Sequence, residues 1–174
     1  MSVRPTAAIL VAPGTNRDRD VALALNLAGA DSVVVSITDL ERDANVINTA
    51  QMIVIAGGFS FADALGSGHV FALELEMLLG DRLQQAVGDG RPIIGICNGF
   101  QTLVRMGLLS SGAGAMALDH NEHGLFDCRW VTLQPSSEKC VWTQGIQDNI
   151  ECPIAHGEGR FTADAAVVAR LKSS

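Results

Sequence analysis

The sequence predicts an α/β fold, a doubly wound and mostly parallel sheet with helices on both faces. Three observations predict it. Short runs rich in Val, Ile and Ala recur through the first half of the chain, helix-like stretches separate them, and glycine-containing turns follow three of the runs. Strands buried on both faces read as unbroken apolar runs, and alternation of strand and helix implies right-handed crossovers between parallel neighbours.

TAAILVA at 6–12 is expected to be the first strand, with PGTN at 13–16 as the turn after it. Residues 18–28 carry Leu, Ala and Val at mixed three- and four-residue spacing, as a helix lying on a sheet does. Strands are expected again at 31–37 (DSVVVSI) and 51–57 (QMIVIAG), the latter leading into GGFS at 57–60. A second helix is expected over 70–87, and RPIIGIC at 91–97 reads as the fourth strand, running into GICNG at 95–99. Beyond Gly107 the texture changes: SSGAGA at 110–115 reads as a loop, and FDCRWVTLQP at 126–135 as an antiparallel or edge strand ended by Pro135. With no repeat, low-complexity tract or long linker, a single domain over 1–174 is expected.

Hydrophobic residues make up 48% of the chain and charged residues 18%, the balance of a compact fold. A formal charge of -7 without a Lys/Arg cluster argues against binding nucleic acid or an anionic membrane through a basic surface. A small molecule or another protein is the expected partner. The start, MSVRPTAAIL, lacks the features of a secretory signal and no apolar run has the length of a membrane span, so a cytoplasmic location is expected. Cys97, Cys128, Cys140 and Cys152 form no C-x-x-C pair and read as reduced thiols.

In open α/β sheets ligands bind beyond the carboxyl ends of the strands, where the three turns fall. GICNG has the form G-x-C-x-G, the cysteine counterpart of the G-x-S-x-G elbow, whose sharp turn from strand to helix lifts a nucleophile above the sheet. Cys97 would sit at the tip, where the N–H groups of a helix start favour a thiolate. The N–H of Asn98 could then face a developing oxyanion, with the Gly57 and Gly58 loop supplying a second donor. The competing reading makes Cys97 a small buried hydrophobe closing a strand, the common fate of a free cysteine. Cys128, Cys140 and Cys152 lack such a turn and read as structural, and His69 reads as a partly exposed helix residue. His120 and His123 have H-x-x-H spacing without further ligands at suitable distance, so a polar loop and no metal are expected there. No G-x-x-x-x-G-K-[ST] phosphate loop is present, and no cofactor is expected.

Four stretches in order, APGTNRDRD, AGGFSFADAL, GICNGFQTLVRMGLL and PIAHGEGRF, resemble the class I (triad-type) glutamine amidotransferases. The ICNGFQ form resembles the members that serve purine biosynthesis. The resemblance spans residues 7–161 and implies the flavodoxin-like fold of that family. It implies a glutaminase in which Cys97 attacks the side-chain amide of glutamine, with ammonia passed to an ATP-dependent synthetase of the same pathway. By the same carry-over, Gly58 and Asn98 line an oxyanion hole, while Gly57, Phe59, Gln101, His156, Gly157 and Glu158 hold the glutamine.

Members of this family take their base and its carboxylate from a PHPE-like segment beyond the HGEGR motif. The sequence runs to AAVVARLKSS without one, so the C-terminal part of the fold is expected to be truncated. His156 with Glu158 has the H-x-E order of that pair and stands as an alternative base, although it matches the earlier, substrate-binding motif. Ala56, Ala62 and Gly66 stand where relatives carry Pro, Gly and Arg, and Asp63 could accept from the ammonium group of a substrate. Two rival readings follow. One is a truncated or degenerate homologue acting as a non-catalytic binding or regulatory module. The other is a different α/β cysteine chemistry, such as a deglycase or peptidase, which fits GICNG but neither PGTN nor HGEGR.

Overall fold

A computed structural model of the chain describes residues 3–109, 115–137 and 139–173. The chain divides into two compact units, Met1–Gly114 and Ala115–Ser174. The loop expected at 110–115 lies, except for Ala115, outside the described residues.

The first unit contains β1 (Thr6–Val11), α1 (Asp18–Leu27), β2 (Asp31–Ser36), α2 (Ile37–Arg42), α3 (Asn45–Thr49) and β3 (Met52–Ile55). A 3-10 turn (Ser60–Asp63), α4 (His69–Gly88), β4 (Ile93–Gly95) and α5 (Asn98–Met106) complete it. All four strands are parallel, in the order β2-β1-β3-β4. This is the doubly wound sheet that the sequence predicts. The winding reverses between β1 and β3, and the ligand crevice of such sheets opens at that point, beyond the carboxyl ends of the strands.

Alternate residues of the central strands feed two cores. Ala8, Leu10, Ile53 and Ile55 pack on one face with Phe71, Leu75, Leu79 and Leu83 of α4 and Leu103 and Met106 of α5. Ile9 and Val54 turn to the other face and meet Val21 of α1. Because both faces are covered, Ala7 to Leu10 are all 0% exposed, which explains the unbroken apolar run in the sequence.

The expected second strand ends one residue early, because Ser36 starts a helix. Its hydroxyl accepts from the Asp39 N–H at 3.2 Å, and the Asp39 carboxylate accepts from the Ser36 N–H at 3.0 Å. This capping box nucleates α2 and turns Ile37 out of the strand. The Ser36 hydroxyl, which also donates to Asp39 Oδ2 at 2.6 Å, first and the Ser36 N–H second hold the Asp39 carboxyl below its ordinary value.

The second unit consists of β5 (Met116–Asp119), β6 (Asp127–Leu133), β7 (Ile150–His156), β8 (Arg160–Ala163) and α6 (Ala165–Ser173). β5 pairs with β8 and β6 with β7, both antiparallel. The strand expected within 126–135 is β6, paired along its length with β7. No described helix is long and apolar enough to cross a membrane.

Candidate active site

The elbow after β4 is built from close backbone approaches. Cys97 has φ 53 and ψ -114, a conformation that costs an L-residue about 1 to 3 kcal/mol and is retained where the surroundings over-determine it. They do so here. The Gly99 N–H donates to the Ile96 carbonyl at 2.9 Å, the Phe100 and Gln101 N–H groups reach the Cys97 carbonyl at 3.0 and 3.1 Å, and the Ile96 N–H holds the Ile55 carbonyl at 3.1 Å. The flanking glycines act by lacking a side chain. A Cβ at Gly95 would lie 2.4 Å from the Gly99 carbonyl oxygen, and one at Gly99 would lie 2.0 Å from that of Ile55. Positive φ falls on the cysteine itself.

The Cys97 thiol is exposed, so a buried residue closing a strand does not describe it. Exposure alone does not single it out, since Cys128 and Cys140 are exposed as well and Cys152 is half-buried. Burial pushes the Cys140 thiol up, but hydrogen bonds from the Thr143 hydroxyl and the Trp142 and Thr143 N–H groups outweigh it and hold that thiol below its ordinary value. What distinguishes Cys97 is its backbone.

The paired-glycine loop meets the elbow, and the PGTN turn meets that loop. A Cβ on Gly57 would stand 2.9 Å from the Ile96 carbonyl oxygen and 3.2 Å from Cys97 Cβ, so the paired-glycine loop lies directly against the cysteine. Gly58 bridges to Thr15, the Phe59 N–H donates to the Gly14 carbonyl at 3.1 Å, and the Phe61 N–H donates to the Pro13 carbonyl at 2.7 Å. Among the described residues, neither the Gly58 N–H nor the Asn98 N–H donates to a protein acceptor. Phe59 is exposed, and Gln101 lies one turn along α5, its Oε1 3.5 Å from Asn98 Nδ2.

The Asn98 side chain joins the elbow to the 3-10 turn, a role that its sequence position does not announce. Only 2% exposed, it donates through Nδ2 to Asp63 Oδ1 at 2.8 Å and accepts through Oδ1 from the Ser60 hydroxyl. The turn that it holds is strained: Phe61, Ala62 and Asp63 have φ of 50, 54 and 54. A left-handed conformation costs a non-glycine residue roughly 1 to 2 kcal/mol, less the entropy a glycine would lose on folding. Ala62→Gly is therefore expected to stabilise the protein by about 0.5 to 1 kcal/mol, read as a higher midpoint in urea. A lower midpoint would contradict the strain. His69, at the start of α4, faces Arg105, whose Nη1 lies 3.4 Å from its Nδ1 while Nε donates to the Ser67 carbonyl.

In the second unit, His156 ends β7 and Gly157 and Glu158 follow it, half-buried. Asn121, 7% exposed, holds this segment. Its Nδ2 donates to the His156 and Leu125 carbonyls at 2.8 and 2.9 Å, its Oδ1 lies 2.9 Å from His156 Nδ1 and 3.2 Å from the Gly159 nitrogen, and its own N–H donates to the Gly157 carbonyl. Arg160 braces the same loop through Asp119 at 2.7 Å and the His120 carbonyl at 3.1 Å. The His120 N–H, foremost, and Arg160 hold the Asp119 carboxyl below its ordinary value. His123 accepts the Leu125 N–H, so the H-x-x-H stretch is a polar loop whose buried member is the asparagine between the histidines. In the sequence the two histidines are the conspicuous residues of this stretch, and nothing marks Asn121 between them. Its burial was not visible in a stretch so polar.

A family model described as the CobB/CobQ-like glutamine amidotransferase domain matches residues 4–174. Among curated proteins, the phosphoribosylformylglycinamidine synthase subunit PurQ of Treponema denticola is 44% identical over 94% of this chain and 66% of its own length. The subunit of the same name from Thermotoga maritima is 37% identical over 97% of this chain and 74% of its own. The chain thus spans about two thirds of the length of the curated relatives it matches. A chain in the solved structure of PurLQS from Thermotoga maritima aligns with a TM-score of 0.79 at 35% identity, covering 93% of this chain and 71% of that one. With the elbow, the paired-glycine loop and the parallel sheet in place, these likenesses establish that the chain belongs to the CobB/CobQ-like glutamine amidotransferase domain family.

Proposed function

We propose that the protein is the glutaminase component of phosphoribosylformylglycinamidine synthesis, releasing ammonia from glutamine for an ATP-dependent synthetase in purine biosynthesis. The observation that carries this reading is the backbone of Cys97, an exposed thiol at positive φ on a turn whose flanking glycines leave no room for side chains. Relatives named as PurQ subunits, and one chain in the PurLQS structure, support the pathway and the partner. One family model spans 4–174, which supports reading the two units as parts of a single domain.

In this reading the Cys97 thiolate adds to the side-chain carbonyl carbon of glutamine. The oxyanion that forms is held by the N–H groups of Gly58 and Asn98, which the protein leaves without an acceptor. Collapse breaks the C–N bond, the leaving nitrogen takes up the proton that the thiol gave off to solvent, and ammonia departs, leaving a thioester. Water then adds to the same carbon, and glutamate departs as the thiolate returns. Gly57, Phe59 and Gln101 beside the elbow contribute to holding the amino acid, and the family resemblance extends the same role to His156, Gly157 and Glu158. His156 suits binding better than proton transfer, because its Nδ1 is held by a carboxamide and not by the carboxylate that stabilises an imidazolium.

The test is covalent labelling, which needs the nucleophile and the glutamine cradle but no hydrolysis. 6-Diazo-5-oxo-L-norleucine, a glutamine-shaped electrophile, is expected to modify Cys97 once per chain and to be slowed by glutamine, with no adduct in Cys97→Ser. Iodoacetamide, which carries no glutamine recognition, is expected to reach Cys140 as well. Adducts of the glutamine analogue at Cys128 or Cys140 with Cys97 untouched would overturn the assignment.

A further inference from the structure

Asn121 fixes more than the path of the backbone. A backbone N–H can only donate, so the atom of Asn121 that faces the Gly159 nitrogen must be the oxygen. The other end faces the carbonyls of Leu125 and His156, which can only accept, so it must be the NH2 group. The orientation of the amide therefore follows from three backbone contacts and involves no free choice. Since Oδ1 is an acceptor, His156 Nδ1 at 2.9 Å must carry the hydrogen between them. A neutral imidazole has one N–H, which leaves a lone pair on Nε2. Among the described residues nothing donates to that nitrogen. The ring is also held from below, since a Cβ on Gly159 would come within 2.1 Å of it.

We infer that Asn121 is a positioning residue that locks His156 as the Nδ1–H tautomer, so that Nε2 offers an acceptor to a ligand bearing an N–H or O–H donor. A neutral ring presented this way repels a carboxylate and accepts from an ammonium or amide group. Resting on the glutamine reading above, the group recognised is the α-ammonium of the substrate. His156 is then a residue that distinguishes an amino acid from its deaminated analogue. Asn121 acts only through the ring.

Nitrogen chemical shifts of His156, measured without ligand on the alkaline side of its titration, report the tautomer directly. The expected spectrum has a protonated Nδ1 and a bare Nε2. Asn121→Ala should move the ring toward the Nε2–H form preferred by free imidazole, while Asn121→Asp, which keeps an acceptor for Nδ1–H, should retain the native tautomer. An Nε2–H ring in the parent protein overturns the inference whatever the variants do, and so does a ring that ignores Asn121→Ala. Titration with L-glutamine should shift the His156 resonances, and glutaramate, which lacks the α-amino group, should shift them far less. Asn121→Ala should raise the half-saturating glutamine concentration about tenfold, the loss of one charge-assisted hydrogen bond. A correct tautomer with no response to glutamine would sink the glutamine reading and leave the positioning role standing. Equal responses to both ligands would overturn the assignment of the ammonium group.

Discussion

Gly99→Ala is expected to destabilise the protein by about 3 kcal/mol or more, among the largest losses from adding one methyl group. The added carbon would stand 2.0 Å from the Ile55 carbonyl oxygen, 2.6 Å from its carbon and 3.2 Å from the Ala56 oxygen, so backbone must move. No flexible side chain is available to yield. The Ile55 carbonyl already accepts the Ile96 N–H at 3.1 Å, and that bond seats the residue before Cys97. Relief of the clash therefore pulls the end of β3 away from the elbow and takes the cysteine with it. For a protein of this size the loss should lower the melting midpoint by about 6 to 12 °C, and labelling of Cys97 by the glutamine analogue should fall with it. Gly88→Ala is the control, because a Cβ there meets nothing within 4 Å and alanine is the better helix former. Its midpoint should stay level or rise. If both variants melt with the parent, the elbow is not held by this backbone contact.

The two central strands were legible because burial on both faces leaves an unbroken apolar run, and the shortness of TAAILVA and QMIVIAG and the Pro or Gly that follows each separate them from a buried helix. Elements that depend on a few atoms were harder. α2 rests on the reciprocal bonds between Ser36 and Asp39, and the S-x-x-D spacing was there to be read but lay inside an apolar run that already passed for a strand. β7 and β8 have no fully buried residue and lack the unbroken apolar pattern of the core strands, and were not expected. At the site, the nucleophile turn could be found from G-x-C-x-G because the spacing follows from sterics at Gly95 and Gly99. The buried asparagines could not. Asn98 entered the sequence reading for its N–H and Asn121 not at all, since nothing in a single sequence tells a polar residue in a loop from one that loop folds around.

Replacing Asn98 should show whether the two loops are held by chemistry or only by packing. Asn98→Leu keeps the branching of the side chain but removes the acceptor of the Ser60 hydroxyl and the donor to Asp63, at a site 2% exposed to water. A buried polar group deprived of its partner costs about 1 to 3 kcal/mol, and here the hydroxyl is one such group. Asn98→Asp should be at least as damaging near neutral pH, because it sets a second carboxylate against that of Asp63. Adding Asp63→Asn to that variant reverses donor and acceptor across the same contact while the Ser60 hydroxyl keeps its acceptor. Asparagine also tolerates the left-handed backbone at that position. The double variant is expected to recover most of the lost stability, with a coupling of roughly 1 to 3 kcal/mol in the cycle. Labelling of Cys97 should recover in step. The contact runs from the residue after the nucleophile to the turn after the paired glycines, so it sets the spacing between the two N–H groups assigned to the oxyanion. A purely structural strut would restore melting without restoring the labelling rate. An Asn98→Leu protein that melts and labels like the parent would remove the strut altogether, and only the glycine contacts would be left to hold the loops in register.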